Sequence, residues 1–278
     1  MADMQVLDRS TEIEQFPEQD IRLNPGENPE NTAKKVFFLY PNSVIQDELL
    51  SVLIMAGYEI YTLRDHTRAY QVLAHFNDSI MFINIDRGLE EPQWEVYIRE
   101  ILNNPKTKNC RLGILSYNSD YKLMEKYLMD IGVQCGYVQL KLGLKPSTRI
   151  LLNVLEAVEA RGRRRCIRAN CEDEINSTVN IKKDDRLLNG KLVYISVAGI
   201  TVRFDKAVDF KDNEKLTDFQ LRLWGMPITV QATVRGTCQG QANVWIFLFE
   251  PGMRDEDKET IYYFVRYCLN RYMEHLEL

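Results

Sequence analysis

Histidine is scarce in this 278-residue chain: His66, His75 and His275 are the only three. So few imidazoles argue against a zinc centre, which needs nitrogen or sulfur ligands at set spacing. Cysteine does not fill the gap. Six are present, Cys110, Cys135, Cys166, Cys171, Cys238 and Cys268, and none forms a C-x-x-C pair. Cys166 and Cys171 lie close together, but no second pair or histidine cluster follows. Six thiols without a framework read as the reduced cysteines of a cytosolic protein. No run approaches the twenty apolar residues of a membrane span. The start of the sequence, Met1-Ala-Asp-Met-Gln, lacks a basic stretch followed by an apolar one, so a cytoplasmic location is expected. Positive charge is also short: 35 lysines and arginines stand against 40 acids, a net charge of −5. That balance argues against bulk DNA or RNA binding. A phosphate-cradling G-x-x-x-x-G-K-S/T loop and a G-x-S-x-G elbow are both missing, and the sequence is not expected to be an enzyme.

What is present divides into three. Residues 1–32 are polar and acidic, with Pro17, Pro25 and Pro29, and read as a flexible tail. Over 33–160 five apolar strands alternate with five amphipathic helices. The strands are Val36–Tyr40, Tyr58–Leu63, Ile80–Ile85, Arg111–Ser116 and Gly136–Lys141. The helices run over 44–55, 67–76, 94–102, 120–129 and 147–160. Val96, Ile98 and Ile101 are expected to form the buried face of the third. This is the pattern of a doubly wound α/β domain with a parallel sheet.

Order and lengths resemble the response-regulator receiver family. That resemblance implies an acidic pair after strand one, holding magnesium through carboxylate oxygens, and a phosphoacceptor aspartate at the end of strand three. The positions here are Pro41-Asn42 and Asn84. Neither supplies the chemistry. Asp86 could accept phosphate only if the strand end slipped, and it would still lack the metal. Ser116 and Lys141 match the family's hydroxyl and lysine, or simply cap strand ends. The reading is a pseudo-receiver that docks or dimerises without being phosphorylated.

Positive charge gathers in one place, Arg161-Gly-Arg-Arg-Arg-Cys-Ile-Arg168, where five of eight residues are arginine. Guanidinium forks suit phosphate and the O6/N7 edge of guanine, and they stack on aromatic rings. Arg161 and Arg163 could serve only the dipole of the preceding helix. Arg165 and Arg168 lie beyond Gly162, a helix stop. About thirty residues on comes Leu192-Val-Tyr-Ile-Ser-Val-Ala-Gly-Ile200. Further strand signals follow at 177–181, 190–204, 216–223, 227–234 and 243–249, the mark of an antiparallel barrel. A long terminal helix over 255–276 has Ile261, Phe264, Val265, Cys268, Leu269 and Tyr272 as its expected apolar stripe.

The two stretches together resemble the PilZ family of bacterial cyclic di-GMP receptors, over roughly residues 160–275. Its marks are R-x-x-x-R and D/N-x-S-x-x-G. Arg164 and Arg168 fit the first, with Arg161 and Arg165 as a second phasing. Ser196 and Gly199 fit the second. Tyr194 stands where Asp or Asn is expected. The whole chain is thus expected to be a receiver-like parallel α/β domain (33–160), followed by a six-stranded antiparallel PilZ-type barrel with a C-terminal helix (161–278).

The resemblance implies that cyclic di-GMP is a regulatory ligand rather than a cofactor. Arg164 and Arg168 would grip phosphate and guanine, Ser196 would hydrogen-bond the ligand, and Gly199 would let backbone approach. Closure of the arginine segment would change the domain arrangement or the binding of a flagellar, secretion or polysaccharide partner. Asp or Asn at position 194 would read the guanine N1 and N2 donors; Tyr194 changes that contact. The alternative is therefore a nucleotide-independent interaction module regulating motility or secretion, with a phosphorylated response regulator third.

Overall fold

The computed structural model describes residues 33–41, 43–162, 166–183, 186–238, 241 and 243–278. The expected tail and the arginines at 163–165 lie outside them. The described residues form two compact units, one of 33–167 with Arg266–Leu278 and the other Arg168–Val265.

The first unit carries β1 (Val36–Leu39), α1 (Ser43–Met55), β2 (Ile60–Leu63), α2 (His66–His75), β3 (Ile80–Asn84), α3 (Glu91–Asn103), β4 (Arg111–Ser116), α4 (Tyr121–Glu125), β5 (Tyr137–Gln139) and α5 (Leu144–Ala157). A π-helical stretch, Lys126–Ile131, extends α4. The strands pair in parallel in the order β2-β1-β3-β4-β5. Every residue of β1 and β3 is buried, because helices cover both faces of a doubly wound sheet and leave no face for polar side chains.

Helix starts follow local chemistry. Asp65 caps α2 by accepting from the Thr67 amide at 2.8 Å, and Glu90 with Gln93 closes a capping box at α3. The buried face of α3 is Trp94, Tyr97, Ile98 and Ile101, whereas Val96 is 67% exposed. Position 96 falls out of phase with the 94, 97/98, 101 stripe. β5 ends at Gln139 and gives way to a 3₁₀ turn, Leu140–Leu142, so Lys141 sits on an exposed turn.

The second unit holds β6 (Ala169–Asn170), β7 (Thr178–Lys183), β8 (Arg186–Ser196), β9 (Gly199–Phe204), β10 (Lys215–Leu223), β11 (Met226–Thr237) and β12 (Val244–Phe249). The strand order is β6-β8-β7-β10-β11-β12-β9, and a β8–β9 pairing closes the ring. Six antiparallel strands thus make a closed barrel. β6 is a two-residue stub on the edge of β8, beyond the point where β7 leaves. Trp224 and Gly225 both hold positive φ, 51° and 81°, in the two-residue turn between β10 and β11, the primed geometry that matches strand twist. Phe219, Phe210 and Phe247 fill the interior, with rings edge to face at 5.0 and 5.3 Å.

The terminal helix α6 (Asp255–His275) opens on Asp255, Glu256 and Asp257, which suit its positive end. Ile261, Phe264, Val265, Cys268 and Leu269 are buried as expected. Tyr272 is instead 47% exposed and Met273 takes its place, because steps of four from Ile261 lead to 265, 269 and 273. In the α/β unit, the end of α6 lies against the edge strand. Asn270 Oδ1 accepts from the Thr62 amide at 2.8 Å, satisfying a donor that an edge strand would leave to solvent. Arg68 donates to the carbonyls of Met273, Glu274 and Leu276 at 2.7, 3.1 and 2.9 Å, a cationic cap on the helix C-terminus.

Candidate functional site

On the barrel, a hairpin brings the second motif together. Ser196 pairs with Gly199 across a two-residue turn, Val197-Ala198. Ser196 Oγ accepts from the Ala198 amide and donates to the Gly199 carbonyl, both at 3.3 Å. The hydroxyl therefore holds the turn in which it sits. A register shift between Leu192 and Tyr194 sets Tyr194 opposite Thr201. Side chains two apart on a strand share a face, so Tyr194 and Ser196 point the same way.

The stub β6 supplies the arginine. Ala169 pairs with Ile195 and Asn170 with Tyr194, and the ladder continues through the Cys171 amide to the Val193 carbonyl at 2.9 Å. Arg168, one residue before this stub, is thereby set beside Ser196. Arg168, Tyr194, Ser196, Gly199 and Thr201 line one open recess, floored by Ile246–Leu248, with about 360 Å³ of space that includes its solvent-open side. Its polar groups are one guanidinium and three hydroxyls; among the described residues no carboxylate or side-chain amide lines it. Tyr194 is half-buried against Val193, Cys238 and Val244.

Gly199 has a reason to be glycine within the fold itself. A Cβ there would stand 2.3 Å from the Phe247 carbonyl oxygen and 3.2 Å from Leu248 Cα. The backbone that approaches this glycine is β12, its own neighbour.

Of the other arginines, Arg161 belongs to the α/β unit, with its guanidinium 5.2 Å from the centre of the Tyr58 ring. Burial raises the Tyr58 phenol above its ordinary pKa, against the opposing pull of Arg161. Arg164 and Arg165 lie outside the described residues. Thr201 went unremarked in the sequence. Its spacing of two from Gly199 on β9 was the available signal.

The receiver-like positions are occupied by structural bonds. Asn84 is buried, donates Nδ2–H to the Tyr40 carbonyl at 2.9 Å, and accepts from the Asp86 amide at 3.1 Å. Asp86 is exposed, and its carboxylate accepts from Ser116 Oγ at 2.5 Å and from the Tyr117 amide at 2.6 Å. Lys141 Nζ reaches Ser119 Oγ at 3.4 Å. Of the Pro41-Asn42 pair expected after strand one, Asn42 lies outside the described residues, and just before the pair Tyr40 holds a left-handed φ of 52°. Its ring lies where a Cβ on Gly88 would be, 2.4 Å away, and packs edge-on to Trp94 at 6.0 Å. Its hydroxyl meets His66 Nδ1 at 3.1 Å. Among the described residues no group of three acidic, histidine or cysteine side chains could hold a metal ion. No helix among them is long and apolar enough to cross a membrane.

No family model matches the sequence, and no curated protein is similar to it. Solved structures are similar to it in parts. One half of the chain is similar to PilZ domains, the other to receiver domains. The PilZ domain with c-di-GMP of YcgR from Escherichia coli matches at 16% identity and a TM-score of 0.32, over 39% of this chain and 92% of that one. The signal receiver domain of an HD domain-containing protein from Pseudomonas fluorescens Pf-5 matches at 18% identity and 0.38, over 47% and 100%. The inhibitor of motility MotI/DgrA from Bacillus subtilis matches at 20% identity and 0.33, over 41% of this chain and 54% of that one.

Proposed function

We propose that this chain is a cyclic di-GMP effector whose barrel recess takes the nucleotide. The observation that carries the reading is that Arg168, from the stretch before β6, meets Tyr194, Ser196 and Gly199 of the β8–β9 hairpin on one open face. Chemistry supports it. A guanidinium fork pairs a phosphate or the O6/N7 edge of guanine, and a tyrosine face stacks on a base. Arg164, outside the described residues, would add the second guanidinium of the R-x-x-x-R pair. The arginine run joins the two units, so its engagement with nucleotide is the route by which a protein partner would sense the messenger.

Titration calorimetry of the full chain with cyclic di-GMP tests this. Saturable heat at micromolar nucleotide, weakened at least about tenfold in Arg168→Ala by loss of a charge-assisted contact, is the expected result. Folded protein that gives no heat ends the reading. That outcome would favour a nucleotide-independent interaction module, for which one observation speaks: Tyr194 packs on Val193, Cys238 and Val244 where the motif has Asp or Asn.

A further inference from the structure

The recess has an uneven chemistry. It offers a cation, Arg168, and three hydroxyls, from Tyr194, Ser196 and Thr201, with no carboxylate or amide among the described lining residues. Guanine presents two opposite faces to such a site. Its N7 and O6 are acceptors that a guanidinium matches bidentately. Its N1–H and N2–H₂ are adjacent donors, matched by a carboxylate or amide oxygen.

The three hydroxyls are poor substitutes for that acceptor. Ser196 Oγ already accepts from the Ala198 amide. Thr201 is buried on β9, opposite Tyr194. The Tyr194 ring packs on the cluster of Val193, Cys238 and Val244, and its phenol offers one neutral acceptor for two parallel donors.

Resting on the nucleotide reading above, we infer that guanine in this recess is read only along its N7/O6 edge, so that its 2-amino group goes unread. The ligand class is then a cyclic purine dinucleotide with a 6-oxo group. Hypoxanthine, which keeps N7, O6 and N1–H and lacks only the 2-amino group, is accepted as well as guanine. Adenine, which turns an N6–H₂ donor towards the guanidinium, is not.

Titration calorimetry of the full chain with cyclic di-GMP, cyclic di-IMP and cyclic di-AMP tests the inference. The expected result is a Kd for cyclic di-IMP within about fivefold of that for cyclic di-GMP, with cyclic di-AMP weaker by more than about tenfold, the scale of one lost bidentate base contact. Cyclic di-GMP binding more than about fivefold tighter than cyclic di-IMP overturns the inference and leaves the nucleotide reading standing. Cyclic di-AMP binding as tightly as cyclic di-GMP overturns it as well, since the N7/O6 edge would then be unread. No heat from any of the three overturns both. Tyr194→Asn supplies the missing amide and is expected to shift preference towards cyclic di-GMP over cyclic di-IMP. An unchanged ratio in a folded variant that binds counts against the inference.

Discussion

Gly199→Ala separates the structural role of this glycine from any role in binding. The added Cβ would sit 2.3 Å from the Phe247 carbonyl oxygen, 3.1 Å from Leu248 Cδ2 and 3.2 Å from Leu248 Cα. The leucine tip can swing away; the two backbone contacts cannot yield without moving β12. Gly199 pairs with Leu248 and Ile200 with Phe247, so that movement strains the ladder that helps to close the barrel. Overpacking of this kind costs roughly 1–3 kcal/mol, and contact with backbone puts the expected value in the upper half of that range. In a domain of roughly a hundred residues each kcal/mol lowers Tm by about 4–8 °C, so a fall of about 10 °C or more is expected. Circular dichroism melts of wild type and variant, both without nucleotide, measure it. A variant that melts within about 2 °C of wild type would refute the close approach of β12 and return Gly199 to a purely ligand-based explanation.

Asp86→Ala removes the acceptor of the Ser116 hydroxyl and the Tyr117 amide. It is expected to destabilise the α/β unit by about 1–3 kcal/mol, read as a lower urea midpoint. Acetyl phosphate should leave the intact mass of the wild type unchanged, whereas a phosphoryl adduct on Asp86 would contradict the structural role given to this carboxylate. Alkaline pH is a second perturbation. Burial pushes the Cys135 thiol from 9.0 up to about 11, against a smaller downward pull from Arg111, and burial also raises the Tyr97 phenol. Both groups are acids kept neutral in the fold. Their contribution is complete below the unfolded pKa and is lost as pH rises through the folded one. The urea midpoint should therefore fall between pH 8 and pH 11; a flat profile would mean that these groups are solvated.

Much of the fold was legible because burial leaves a regular trace. Val36–Leu39 and Ile80–Asn84 read as strands since helices cover both faces of their sheet, leaving runs with few polar interruptions. The barrel strands showed through alternation, as in Ile228, Val230, Ala232 and Val234, all buried. Helix faces were less secure. Val96 and Tyr272 are apolar or aromatic residues one position off the buried stripe, and composition alone does not give the phase. β6 could not be seen, since two residues carry no periodicity. Yet it is this stub that sets Arg168 beside Ser196. In the candidate site, the motif spacing named Arg168, Ser196 and Gly199, while the close approach of β12 to Gly199 depends on a strand about fifty residues away.

The two units arrange their described polar groups differently. At the C-terminal end of the parallel sheet the polar side chains turn on one another. Asn84 ties β3 to the Tyr40 carbonyl, Asp86 ties the next loop to Ser116, and Ser116 Oγ accepts from the Asn118 amide at 2.9 Å. The Tyr40 ring packs over Gly88 and edge-on to Trp94. An aspartate at position 84 would set a carboxylate against the Tyr40 carbonyl to which Asn84 now donates. The recess on the barrel is built the other way. Its turn is secured by Ser196, Gly199 admits the neighbouring strand β12, and Arg168, Tyr194 and Thr201 line the recess. A nucleotide of the proposed class would therefore be sought on the barrel, where a guanidinium and a phenol border the same recess.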